Sequence, residues 1–301
     1  MIHGVLNIYK EAGFTSHDVV AKLRGIVKQK KIGHTGTLDP DATGVLPVCL
    51  GKATRLCDML TDETKTYETV LLLGQSTDTQ DTGGTVLKRA EPETDPEKIR
   101  SCIQGFVGEY QQIPPMYSAL KVNGKKLYEL AREGIEVERK PRSVHFHEIE
   151  ILKIESPNVW MRVTCSKGTY IRTLCHDIGE ALGCHGCMAN LVRTRVGRFE
   201  LSDSRKLSEI EEYVKNQKLE ELLVPVDAMF SGYPSVTVKA EADILVCNGN
   251  PLKEPMFDTE KVPEGSGKIR IYTSSGEFVG IYQYDNMRKI WKPEKMFLER
   301  S

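Results

Sequence analysis

The chain carries no excess of either charge. Its 41 Lys and Arg face 42 Asp and Glu, a formal net charge of −1, which argues against a protein that coats nucleic acid over its whole surface. No apolar run approaches the ~18 residues that a membrane-crossing helix requires, so no membrane role is predicted. The opening Met1-Ile2-His3-Gly4-Val5 lacks a basic stretch followed by an apolar one, and no secretory signal is expected. Internal repeats and low-complexity tracts are missing as well. What is present is ordinary globular material: 40% hydrophobic, 28% charged and 7% aromatic residues, enough apolar surface to offset the entropy of ordering and to exclude a disordered chain. Eight cysteines without a signal peptide read as reduced thiols of a cytoplasmic protein rather than a disulfide framework. At 301 residues the length exceeds what one core commonly fills and predicts two domains.

Charge is segregated locally. Lys22, Arg24, Lys28, Lys30 and Lys31 follow one another with no intervening acid, which leaves room for a local basic patch. Residues 2–9 read as a strand, and Thr15 or Ser16 then caps a helix with Val19, Val20, Leu23, Ile26 and Val27 on one face. From Gly33 to Pro47 the chain is punctuated by Gly36, Pro40 and Gly44, predicting a loop throughout. Further on, 66–73 reads as a strand and Asp95-Pro96 as a helix start. Residues 122–132 read as a helix, 144–154 and 159–165 as paired strands, and 168–182 as a helix. The lack of regular strand–helix–strand spacing predicts an α+β fold with a mixed, mostly antiparallel central sheet and flanking helices. Beyond Pro225 the segments 235–239, 268–273 and 278–284 are short and β-like, the last two joined across Ser274-Ser275-Gly276. This predicts a division into residues 1–230 and a small all-β domain over 233–301.

The loop is where chemistry concentrates. Two glycines flank His34-Thr35, prolines fix the backbone after Asp39 and Leu46, and a carboxylate stands in a run that is otherwise uncharged up to Asp41. Asp39 is either a reacting acid on a stiff loop or a turn residue that caps its own backbone, as Asp-Pro often does. Asp39 with Asp41 would suit a two-carboxylate hydrolase or a magnesium site, although Pro40 would hold the two side chains apart. Cys175, His176, Cys184, His185 and Cys187 invite a zinc reading, but there is a single Cys-x-x-Cys where a structural site wants two pairs. No metal site is predicted.

The stretch Gly33-His34-Thr35-Gly36-Thr37-Leu38-Asp39-Pro40-Asp41-Ala42-Thr43-Gly44-Val45-Leu46-Pro47 resembles the active-site motif of the TruB family of tRNA pseudouridine synthases at every fixed position. Lys65-Thr66-Tyr67, Leu73 to Asp81, Ile113 to Lys121 and Ser166 to Arg172 match in order. Asn248-Gly249-Asn250-Pro251 is the main anchor to the PUA domain that bacterial members carry. The resemblance implies isomerisation of the uridine at position 55, in the T-arm loop of tRNA, to pseudouridine, without cofactor. The alternative is a tRNA-binding or tRNA-folding protein without catalysis. In the implied enzyme Asp39 attacks C1′ or takes a proton from C2′ of the ribose. Arg172 holds that carboxylate ionised, and Tyr67 stacks on the uracil and helps remove the C5 proton. The target base has to be flipped out of its stack, and His34 fills the disturbed loop. Lys65, Lys167 and Tyr170 border the pocket. Lys121, Lys125, Lys126 and Arg132 belong to a mobile thumb, about residues 115–142, that closes on RNA. Arg193, Arg195 and Arg198 form a second basic cluster. The implied protein acts as a monomer with no obligate protein partner.

Overall fold

In the computed structural model, which describes residues 1–258 and 267–298, the framework is a ten-stranded sheet. Its main path runs Leu223–Val224, Gly4–Lys10, Thr43–Leu50, Gly186–Val196, Lys65–Leu73, Asn158–Cys165, Arg142–Glu155 and Gly108–Gln112. Every pairing is antiparallel except Thr43–Leu50 against Gly186–Val196, so the sheet is mixed and mostly antiparallel as the pattern predicts. The helix Ser16–Val27 has Thr15 as its N-cap. The Thr15 hydroxyl accepts from the Asp18 amide at 3.1 Å while the Asp18 carboxylate accepts from the Thr15 amide at 2.8 Å, a reciprocal cap that fixes where the helix begins. Val19, Val20, Leu23 and Val27 then pack on Leu6, Ile8, Leu46 and Val48. Helix Ile171–Ala181 covers another part of the sheet through Leu174, Cys175 and Ile178.

Three local readings are corrected. The stretch 33–47 is not loop throughout: Ile32–His34 and Thr43–Leu50 are strands, leaving residues 35–42 between them. Gly44 sits in the strand at φ +106° because a side chain there would meet the backbone of Arg193. The segment 122–132 opens as a two-residue hairpin, Lys121–Val122 against Lys125–Lys126, and only Leu127–Arg132 is helical. Asn123 and Gly124 both take positive φ, 51° and 85°, which is the turn that Asn-Gly favours. The third correction concerns the C-terminal part. It holds a four-stranded sheet in the order Ser235–Thr237, Lys268–Tyr272, Phe278–Asp285, Ile290–Met296, but also a short helix at Asp243–Cys247. Residues 259–266 and 299–301 of the expected second domain lie outside the described residues.

This sheet does not stand apart from the first. Ile281 and Phe297 share a hydrophobic cluster with Val5, Val45, Cys49, Leu56 and Phe230. Arg55 donates to the carbonyls of Met296 at 2.6 Å and Leu298 at 3.1 Å, and Lys52 pairs with Glu277 at 2.9 Å. Lys52 and Arg55 lie on the 3-10 turn Gly51–Leu56, directly after the strand Thr43–Leu50.

Candidate active site

Residues 38–42 are pinned from both sides. Leu38 and Ala42 are buried in the core, and each anchors the chain on one flank of Asp39. The Leu38 amide donates to Ser16 Oγ at 2.9 Å, and Gly13 N donates to the Pro40 carbonyl at 3.0 Å. The fully buried Lys10 ammonium donates to the carbonyls of Pro40 at 2.9 Å and Ala42 at 2.6 Å. Burial and the nearby Arg193 guanidinium bring its pKa down to about 8, against the pull of Asp39 and Asp41. Between these anchors Asp39 extends its carboxylate, with its side chain 40% exposed.

Arg172 reaches that carboxylate from the start of helix Ile171–Ala181. Its Nε lies 3.0 Å from Oδ2 and its Nη2 3.3 Å from Oδ1, the two-pronged geometry that a guanidinium forms and an ammonium does not. The same guanidinium donates to the carbonyls of Thr79 at 3.0 Å and Tyr117 at 2.8 Å. Asp81 Oδ2 lies 3.5 Å from Nη1. One arginine thus gathers three separate loops. Its charge does not fully offset the surroundings of Asp39, whose pKa is raised: burial by the surrounding protein is the largest cause, Arg172 opposes it, and the like charge of Asp81 adds to it.

Tyr67 lies on the central strand Lys65–Leu73, buried at 7% exposure and directly opposite Arg193 on the neighbouring strand. Burial raises its phenol pKa, and the Arg193 guanidinium opposes that rise. Tyr170, half-buried, is the N-cap of helix Ile171–Ala181. Its amide donates to Gln112 Oε1 at 2.8 Å and its carbonyl accepts from Gln112 Nε2 at 3.0 Å. Tyr170 also senses the charges of Arg172 and Asp39. Asp39, Arg172, Tyr67 and Tyr170 therefore share one neighbourhood.

His34 stands at the mouth of the loop, half-buried, with its ring 6.2 Å from that of His17. Burial lowers its pKa, which favours the uncharged ring. Lys65 lies inside rather than on a rim: its ammonium donates to the carbonyls of Thr61 at 2.8 Å and Glu63 at 2.6 Å, and burial with the nearby Arg193 charge brings its pKa down to about 8. Its donors are engaged with the protein's own backbone rather than turned to phosphate. Lys167 is exposed and pairs with Asp62 at 2.8 Å. Lys121, Lys125 and Arg132 are exposed. Lys126 and Arg132 flank the Tyr128 ring at 5.3 and 5.4 Å, and Lys125 pairs with Glu133 at 3.4 Å.

The basic cluster of Arg193, Arg195 and Arg198 is broken up. Arg195 and Arg198 are exposed, whereas Arg193 is 1% exposed. The pairing with Lys65–Leu73 shifts register between Arg193 and Arg195, and such a bulge sends residues two apart to different faces. The sequence marks Arg193 only as part of a basic cluster, gives no sign of Lys10, and shows Asp81 only as the end of a matched motif. Among the described residues no three His, Cys, Asp or Glu converge as a metal site would require.

Two family models match the chain: TruB family pseudouridylate synthase (N terminal domain) over residues 24–171, and tRNA pseudouridylate synthase B C-terminal domain over residues 172–231. The chain belongs to the TruB family of pseudouridine synthases. It is 56% identical to the tRNA pseudouridine synthase B of Lachnoclostridium phytofermentans, across 99% of this chain and all of that one. It is 43% identical to the protein of the same name from Alkaliphilus oremlandii over the full length of both. Among solved structures it resembles a Cbf5-Nop10-Gar1 complex, with TM-score 0.73, 30% identity and coverage of 99% of this chain and 86% of that one. It also resembles an H/ACA RNP bound to a substrate RNA containing 2'-deoxyuridine, with TM-score 0.71, 28% identity and the same coverage. Membership makes the chain an RNA-binding isomerase of tRNA processing. Both family matches end before the sheet that begins at Ser235.

Proposed function

We propose that the enzyme isomerises the T-arm uridine of tRNA, at position 55, and that Asp39 acts on the ribose of the flipped-out nucleoside. The observation that carries this is the Asp39–Arg172 pair: a carboxylate open on one side, fixed on the other by two guanidinium nitrogens, on a loop anchored at Leu38, Pro40 and Ala42. The tRNA pseudouridine synthase B relatives support tRNA as substrate. The base would lie between Asp39 and Tyr67, with His34 entering the vacated loop and Tyr170 and Lys167 bordering the entrance. Tyr67 would take the C5 proton once the base has been rejoined. Lys121, Lys125, Lys126 and Arg132 would meet phosphates from a thumb spanning about residues 115–142. Residues 1–230 would then carry catalysis and 233–301 a PUA-like share of RNA binding. The enzyme would act as a cytoplasmic monomer without cofactor.

The test is tritium release from C5-labelled uridine in transcribed tRNA. Asp39→Asn is expected to abolish release while tRNA affinity stays within a few-fold of wild type. Turnover near wild type would remove Asp39 from the chemistry. Undiminished release from a tRNA whose position 55 is cytidine would remove the T-arm assignment.

A further inference from the structure

Arg193 is the largest fully buried side chain among the described residues. Burying a guanidinium is costly unless its donors find acceptors and its charge finds a partner. Here neither condition is fully met. Nε donates to the Val45 carbonyl at 2.7 Å and Nη1 reaches the Thr37 carbonyl at 3.5 Å, while Nη2 is buried with no hydrogen-bond partner. Arg193 forms no ion pair with a carboxylate among the described residues, and its near charges include two other cations, Lys65 and Lys10. A fold that needed only a filled core would place an aliphatic residue there.

The placement is nevertheless enforced. On one side the strand Thr43–Leu50 approaches so closely at Gly44 that any Cβ would strike the Arg193 backbone; on the other, Arg193 stands directly opposite Tyr67. Directly opposed residues of an antiparallel pair lie side by side on one face. The end of the side chain passes under Gly36, where a Cβ would lie 3.8 Å from Nη1. The guanidinium is thus held against the phenol of Tyr67, behind the loop that bears Asp39.

We propose that Arg193 is a positioning residue for the last chemical step, acting through Tyr67: it fixes the phenol oxygen and favours its anionic form as the C5 proton departs. This rests on the reading of Tyr67 as the group that takes that proton. In that step the C5–H bond breaks, its electron pair forms the C5–C6 double bond, and the pair of the C6–N1 double bond withdraws onto N1. The Tyr67 phenolate takes the C5 proton and becomes the phenol, and the phenol then supplies a proton to N1 and returns to phenolate, so the base leaves as an isomer with nothing gained or lost. The groups that face Tyr67 are Arg193 from its partner strand, Cys165, and Asp39 across the site. Burial disfavours the phenolate and Asp39 disfavours it further; Arg193 is the cation that works the other way.

The test measures single-turnover rates and the isotope effect from deuterium at C5 of the target uridine, in Arg193→Gln, Arg193→Lys, Tyr67→Phe and the double variant Tyr67→Phe/Arg193→Lys. Arg193→Gln is expected to slow turnover roughly ten- to hundredfold and to unmask a C5 isotope effect, because proton removal becomes rate-limiting. Arg193→Lys should recover part of the rate. In the Tyr67→Phe background it should have no further effect, a coupling that stays measurable even where Arg193→Gln fails to fold. Wild-type rates in folded Arg193→Gln, slowing without an isotope effect, or equal losses from Arg193→Lys with and without the Tyr67 hydroxyl would each overturn the proposal. A Tyr67→Phe enzyme with wild-type rate and no isotope effect would instead overturn the underlying role of Tyr67.

Discussion

Arg172 grips Asp39 through two nitrogens, at 3.0 and 3.3 Å, while its third nitrogen leans toward Asp81 at 3.5 Å. A single buried cation is thereby shared between a carboxylate that opens to solvent and another that competes for it. The balance leaves Asp39 easier to protonate than an ordinary aspartate, so the chemistry proposed for it would run only above a threshold of pH.

That threshold is measurable. Asp39 must be ionised to attack or to accept a proton, so single-turnover rate should fall as pH drops through a point above the usual aspartate range. Arg172→Lys removes the fork and weakens the opposing charge, so its acid limb should move to higher pH, with turnover reduced roughly a hundredfold. A pH–rate profile of wild type and variant side by side decides this. An acid limb that stays in place would show that Arg172 does not set the ionisation of Asp39.

Gly44 offers a test of the scaffold beneath the site. Its φ of +106° and its contact with the Arg193 backbone leave no space for a methyl group. Gly44→Ala should cost more than about 3 kcal/mol of stability, through strain and steric conflict together. Chemical denaturation measures it. A loss below about 1 kcal/mol would mean that the two strands separate there cheaply.

Removing residues 232–301 should destabilise what remains. Ile281, Phe297 and the half-buried Phe278 cover Val45, Leu56 and Phe230, and losing side chains of that size exposes apolar area worth about 1.5–3 kcal/mol apiece. The truncated chain is expected to melt well below the full-length protein. Coincident melting curves would show that the shared cluster adds nothing to the catalytic part.

Chelation should have no effect. Arg172 occupies the inner side of Asp39, Asp81 is drawn to the same guanidinium, Asp41 is exposed, and no three ligating side chains converge among the described residues. Rates after dialysis against EDTA should match untreated enzyme; a loss restored by magnesium would require a different electrostatic account of the site.

Much of the site was legible because its residues sit in runs with distinctive spacing. Asp39 and Arg172, far apart in sequence, came from two such runs, and the structure brings them into contact. The Thr15 cap and the strand pair Arg142–Glu155 and Asn158–Cys165 followed from local chemistry alone. What escaped had tertiary causes. Gly44 and Pro47 look like loop punctuation, yet both lie in a strand, and at Gly44 its neighbour passes too close for a side chain. Asn123-Gly124 marked a hairpin inside a pattern spaced like a helix. Arg193 and Arg195 look alike on paper, and only a register shift sends one inward and the other out.

The hold of Arg55 and Lys52 on the C-terminal sheet reaches beyond stability. Both side chains leave the turn that ends the strand leading from Asp39, so the far sheet is mounted on the same beam as that carboxylate. In the proposed division of RNA binding the two surfaces would meet RNA from one footing, so a change in the turn Gly51–Leu56 would disturb both at once.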